Sequence, residues 1–262
     1  AGRHPPARAR MRGETRMTSL AEIAYRPIDT LKPVAENLWI VDGRPLRASG
    51  LRLPVRMTAV RLRSGGLWLH SPTAFDRGLL RALEAKGPIL HLVAPSAAHW
   101  RHVADWAAAL PEATVWAPAA LRRRRGPRRA GLRVDRVLER DAPREWAFDL
   151  DQMLVRGALG AVEVAFFHVA SRTMLLADLV QNLEPAKLGR LERLVLGLAG
   201  SLAPHGSTPL HLRLALRARR PESTLIGRRL AASAPRRVIF AHGHWFESDG
   251  ARRLDRALSW LT

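Results

Sequence analysis

What most constrains this chain is that its apolar residues come in short punctuated runs and never in one long one. Leu38-Trp39-Ile40-Val41, Met57 to Leu62 and Leu67-Trp68-Leu69 are strand-length runs separated by Gly or Pro, and they read as a β-meander. A helix is expected over about 74–86, ended by Gly87-Pro88. Next come the buried-type strand Ile89-Leu90-His91-Leu92-Val93 and a helix over about 97–109, with Val103, Trp106 and Leu110 on one stripe. After Thr114-Val115-Trp116 and a short basic helix, Gln152–Val155, Val162–Phe167 and Met174–Leu176 read as successive strands. Helices dominate from about 187 to 233, followed by the strand Val238-Ile239-Phe240 and a closing helix over about 249–261. Strands with helices in two halves imply an α/β fold with sheets packed between helices.

At 262 residues and 47% hydrophobic, the chain suits one domain over 19–262. It is preceded by a disordered Arg-rich arm over 1–18, in which Met17 is a candidate natural start. No run approaches the roughly 20 apolar residues of a membrane helix, and the basic N-terminus has no apolar stretch behind it. A cytoplasmic protein without a membrane partner is therefore expected. With no cysteine, disulfides and thiolate metal sites are excluded, so any metal must be held by nitrogen and oxygen.

The net charge of +20 suggests nucleic acid at first sight. Only Lys32, Lys86 and Lys187 are lysines, however, and the arginines are scattered apart from the N-terminal arm and the run Arg122–Arg125 with Arg128 and Arg129. Nucleic-acid contact is expected to go no further than nonspecific charge attraction. No glycine-rich phosphate loop occurs, so no nucleotide cofactor is expected, and Ser71 and Ser171 lack a nucleophile-elbow context.

Histidines and acids gather where strands end. His91 to His102 forms a strand, a loop and a helix start; Phe167-His168 is followed by Ser171-Arg172-Thr173 and by Asp178; Val238-Ile239-Phe240 runs into Ala241-His242-Gly243. Imidazoles and carboxylates drawn from separate strand ends are suitable ligands for zinc, iron or manganese. His99, Asp178 and His242 are expected in one polar cluster. His70, at the end of Leu67-Trp68-Leu69, is a further candidate ligand. His168 has two readings, ligand or hairpin residue bonded to Ser171 or Thr173; so has His102, ligand or solvated. His91, in mid-strand, reads as a hydrogen-bonded core residue, and His4, His205 and His211 as solvated.

This order of strand-loop-His, strand-Asp and strand-His-Gly resembles the metallo-β-lactamase superfamily. Pro54 to Thr58, Leu67 to Pro72, His91 to Pro95 with His99, Phe167-His168 with Ser171 to Thr173 and Asp178, and Ala241-His242-Gly243 are similar to a bacterial and plant family of that superfamily known as a domain of unknown function. The similarity covers about residues 30–262. It implies an αββα sandwich with a metal at one edge, Asp178 as the metal-bridging aspartate and His242 as the last histidine ligand, both catalytic. Where the superfamily places its main histidine signature, this chain has Pro95, Ala97 and His99, then Trp100 in place of the final histidine. The implied site is therefore at most mononuclear, with metal ligands drawn from His70, His99, His168, Asp178 and His242. Two functions follow: a metal-dependent hydrolase of unknown small-molecule substrate, or a non-catalytic pseudoenzyme serving as a binding or scaffolding module.

Overall fold

The computed structural model describes residues 23–48 and 50–261, so the arm expected over 1–18 lies outside the described residues. Strands β1 (Lys32–Ala35), β2 (Leu38–Ala48), β3 (Leu51–Arg61) and β4 (Leu67–His70) run antiparallel in sequence order. Two parallel strands follow, each reached through a helix: α1 (Arg77–Glu84) leads to β5 (Ile89–Val93) and α2 (Arg101–Ala109) to β6 (Thr114–Ala117). The short helices α3 (Ala120–Arg123) and α4 (Arg125–Arg129) precede β7 (Arg136–Val137), the last strand of this seven-stranded sheet. The second sheet holds β8 (Leu150–Arg156), β9 (Val162–His168), β10 (Thr173–Leu175) and β11 (Arg237–Ile239), in the order β11-β10-β9-β8. Helices α5 (Arg190–Leu198), α6 (Leu210–Arg217) and α7 (Arg220–Ala232) lie between β10 and β11, and α8 (Gly250–Leu258) comes last.

Period-two alternation of side chains divides the apolar residues into three layers. On β4, Leu67 and Leu69 join Leu79, Leu83, Val103 and Trp106 of the covering helices. Trp68 faces the other way and meets Trp146, Val164, Phe166 and Ile239 between the two sheets. Beyond the second sheet, Met174 and Val238 pack on Leu216, Leu230 and Leu254 of α6, α7 and α8. Each large side chain so enclosed contributes about 1.5–3 kcal/mol of hydrophobic burial, and three such layers make the αββα sandwich. Among the described residues, no helix is long and apolar enough to cross a membrane.

Three boundaries differ from expectation for physical reasons. Strands β2 and β3 reach past Pro45 and Pro54, because both prolines fall in one irregular stretch where the register shifts between Gly43 and Leu46; a proline that cannot donate to the ladder is tolerated at a bulge. Helix α2 starts at Arg101 rather than 97. Upstream, the backbone is taken up in bridging the sheets, Ala97 N–H donating to Val162 O at 3.2 Å and Val164 N–H to Pro95 O at 2.8 Å. The helical stretch over 187–233 is interrupted by a loop through Gly200, Pro204, Gly206 and Pro209.

Candidate metal centre

The residues that follow β4, β5, β10 and β11 meet at one edge of the sandwich. Asp178 lies just past β10, where the chain leaves the ladder with its N–H groups needing acceptors. Glu163 of β9 supplies them: its carboxylate accepts from Ala177 N–H at 2.8 Å, Asp178 N–H at 2.8 Å and Leu179 N–H at 2.9 Å. Burial and the Asp178 charge push the Glu163 carboxyl up to about 7, against the pull of those donors.

The Asp178 carboxylate stands between two imidazoles. Its Oδ2 is 3.1 Å from His99 Nε2, and its Oδ1 is 3.3 Å from His242 Nε2. Ser96 Oγ and Gln181 Nε2 approach the same carboxylate at 3.4 Å each. Burial alone would raise the Asp178 carboxyl, but the His99 and His242 rings reverse that and hold it well below the ordinary carboxylate range. Burial likewise disfavours a charged His99, yet Asp178, by charge and hydrogen bond, and Glu163 behind it raise its pKa above the usual histidine value.

His242 is fixed by its turn. Gly243 has φ +98°, and a Cβ there would meet Asn182 O at 2.2 Å, so only glycine fits. Asn182 N–H donates to His242 O at 3.2 Å, and His244 N–H donates to Asn182 O at 2.9 Å. From the other side, Arg56 donates to Phe240 O at 3.1 Å and Gly243 O at 2.8 Å while paired with Asp42 at 2.7 Å. His242 Nδ1 lies 2.7 Å from the carbonyl of Pro54, in the irregular stretch of β3. A carbonyl only accepts, so Nδ1 carries the proton and Nε2 is the nitrogen turned to Asp178.

His99 is held more lightly. Its Nδ1 is 2.7 Å from Ser71 Oγ, and its backbone N–H donates to Ser96 Oγ at 3.3 Å. Ser71 itself sits at φ 51°, a left-handed position uncommon for a serine.

The donor set fits a metal ion. One ligand atom each from His99, Asp178 and His242 lies within 4.8 Å of the others. A His242 nitrogen whose partner nitrogen is locked on a carbonyl is the arrangement metal-ligating histidines use.

The other two candidate ligands stand apart. His168 is a correction: it pairs in register with Thr173 at the far end of β9 from Glu163, and its Nδ1 bonds Ser171 Oγ at 2.7 Å. His70 does not join the converging ligand atoms either. Alternation along β4 turns its ring into the layer between the sheets, stacked on Trp68 at 5.6 Å and edge-on to Phe166 at 5.7 Å. There burial, with a smaller push from His99, lowers its pKa to about 3. His91 is the core residue expected, accepting from Trp116 Nε1 at 3.2 Å.

Two cavities flank Asp178 and share His211 in their walls. One, of about 580 Å³, is lined by Leu51, Leu53, Val195 and Leu198 with His99 and His242 at its base. The other, of about 320 Å³, lies between Glu163, Leu159 and Leu212. His102 lines the first and is not among the converging ligands, and His211 is exposed, as expected. Sequence reading missed Glu163, Ser71, Asn182 and Arg56. Only Gly243, beside a histidine at a strand end, signalled a demanding backbone position.

The fold is that of the metallo-β-lactamases. A metallo-beta-lactamase from Pontibacter korlensis superposes with a TM-score of 0.59 at 15% identity, covering 88% of this chain and 98% of that one. An enzyme of the same name from Hirschia baltica gives 0.56 at 13% identity, with 88% and 97% covered. FIM-1 from Pseudomonas aeruginosa in its mono-zinc form gives 0.57 at 14% identity, with 88% and 94% covered. By sequence the chain belongs to the family described as Domain of unknown function (DUF4336), which matches residues 36–194. No curated protein matches it.

Proposed function

We propose that this chain is a hydrolase that works with one divalent metal ion, held by His99, Asp178 and His242. The observation that carries this reading is the convergence of three ligand atoms within 4.8 Å at the sheet edge, with His242 Nδ1 already committed to Pro54 O at 2.7 Å. Bound there, the ion supplies Lewis acidity for attack by water on a carbonyl or phosphorus centre. Zinc, the ion of the mono-zinc FIM-1 neighbour, is the first candidate, with iron and manganese next. Asp178 keeps its carboxylate ionised between the rings, available as a ligand to the ion and as a hydrogen-bond acceptor that orients the attacking water. Glu163 positions Asp178 through the backbone. The apolar walls of the larger cavity take an apolar part of the substrate and exclude water.

A second reading, a non-catalytic binding module, is favoured by Pro95, Ala97 and Trp100, which stand where the superfamily carries further ligands. Metal-loaded protein should hydrolyse at least one of a generic set of phosphodiesters, thioesters and lactones, and His242→Ala should abolish this while circular dichroism stays unchanged. Turnover that survives His242→Ala would contradict this centre, and none from fully loaded wild type would favour the second reading.

A further inference from the structure

Helix α5 wears its faces inside out. Only Leu196 is buried, against Leu53, Leu183 and Leu188. The opposite side carries Leu191, Leu194 and Leu198, which are 74%, 61% and 84% exposed, at the three- and four-residue spacing of one helical stripe. A surface helix normally puts polar residues there. Leu210 and Leu214 extend the apolar surface along α6, 53% and 58% exposed. Leu198 and Leu210 also line the larger cavity, so the patch borders the cavity that holds His99, Asp178 and His242.

The exposed charges around this patch are mainly positive, although Asp105 stands exposed beside the cavity-lining His102. Arg190 and Arg193 are exposed on α5, Arg217 is exposed on α6, and Arg101 is exposed at the cavity wall. Glu192, the acid in the first turn of α5, is turned inward to Arg52 at 3.0 Å. An apolar stripe bordered by arginines complements a surface with anionic headgroups over hydrocarbon. A second copy of this chain complements it poorly, since a two-fold contact through the patch would set these arginines against one another.

We propose that the α5–α6 face docks on an anionic lipid surface, with the leucines in the acyl boundary and the arginines at the headgroups, so that the apolar cavity opens onto the bilayer. The docking does not require the centre to be catalytic. It replaces the expectation of a chain with no membrane contact, which rested on the absence of a spanning helix.

Cosedimentation of the full chain with phosphatidylcholine vesicles, with and without phosphatidylglycerol, tests this. The wild type should bind the mixed vesicles and bind phosphatidylcholine alone much less. The triple variant Leu191→Gln/Leu194→Gln/Leu198→Gln, neutral and confined to exposed positions, should bind at least tenfold more weakly, with unchanged melting temperature and metal content. Three results would overturn the proposal: no wild-type binding; binding equal in the triple variant and abolished by high salt, which is charge attraction alone; or a wild-type dimer by light scattering that the triple variant dissociates, which makes a second copy the occupant.

Discussion

His242 reaches Asp178 from a turn fixed by Asn182, Arg56 and the Pro54 carbonyl, whereas His99 reaches it from a loop held by two serines. The first turn is built into the junction of the two sheets: Arg56 of one sheet binds the chain just after β11 of the other, and the Arg56–Asp42 pair is almost wholly buried. The second lies beyond the end of β5, its upstream backbone bridged to β9 at Ser96 and held by Arg124 at Ala97 O, while among the described residues the ring itself bonds only the Ser71 hydroxyl besides Asp178. The two imidazoles of the candidate centre differ in what their support does for the fold. On the His242 side, support and fold are one network; on the His99 side they are separable.

The sharpest way to break that contrast is Arg56→Met. It leaves the buried Asp42 with Lys32, at 2.8 Å, in place of two cationic partners, and it orphans the buried Phe240 O and Gly243 O, so urea unfolding should show a loss of about 3–5 kcal/mol; a loss under about 1 kcal/mol would mean the network is dispensable. Gly243→Ala forces a Cβ against Asn182 O and places alanine at positive φ. It should cost about 1–3 kcal/mol and weaken metal binding in the same protein, both readable from melts with and without metal. Ser71→Ala is the counterpart on the other side. It should lower metal affinity by about tenfold, the lower end for loss of an outer partner, and leave the melting temperature of the metal-free protein nearly unchanged. If Ser71→Ala destabilises the fold as much as Gly243→Ala does, the two sides are not separable after all.

Much of this architecture is legible in the sequence. The runs at Leu67, Ile89, Met174 and Val238 are short, apolar and followed by polar groups, which places both the strands and the edge where they end. His99, Asp178 and His242 were legible for the same reason. His168 misleads because a histidine after an apolar run looks the same at either end of a strand, and only the hairpin pairing with Thr173 shows which end it occupies. Glu163 was hidden because its role is to accept backbone N–H groups from the loop after a neighbouring strand, which no local pattern encodes. Arg56 contacts residues far along the chain from it, so it reads as one arginine among many. The leucines of α5 illustrate the opposite case: their spacing is plain, but spacing alone assigns such a stripe to the core, and only the tertiary structure shows it facing outward.

The central claim is that His99, Asp178 and His242 together form a metal site. Calorimetric titration of metal-free protein with zinc, run on the wild type and on Asp178→Ala, tests it most directly. The wild type should take up one ion per chain, while Asp178→Ala should take up none and keep its far-ultraviolet dichroism. Failure of the wild type to bind zinc, iron or manganese, or an unchanged stoichiometry in folded Asp178→Ala, would contradict the account.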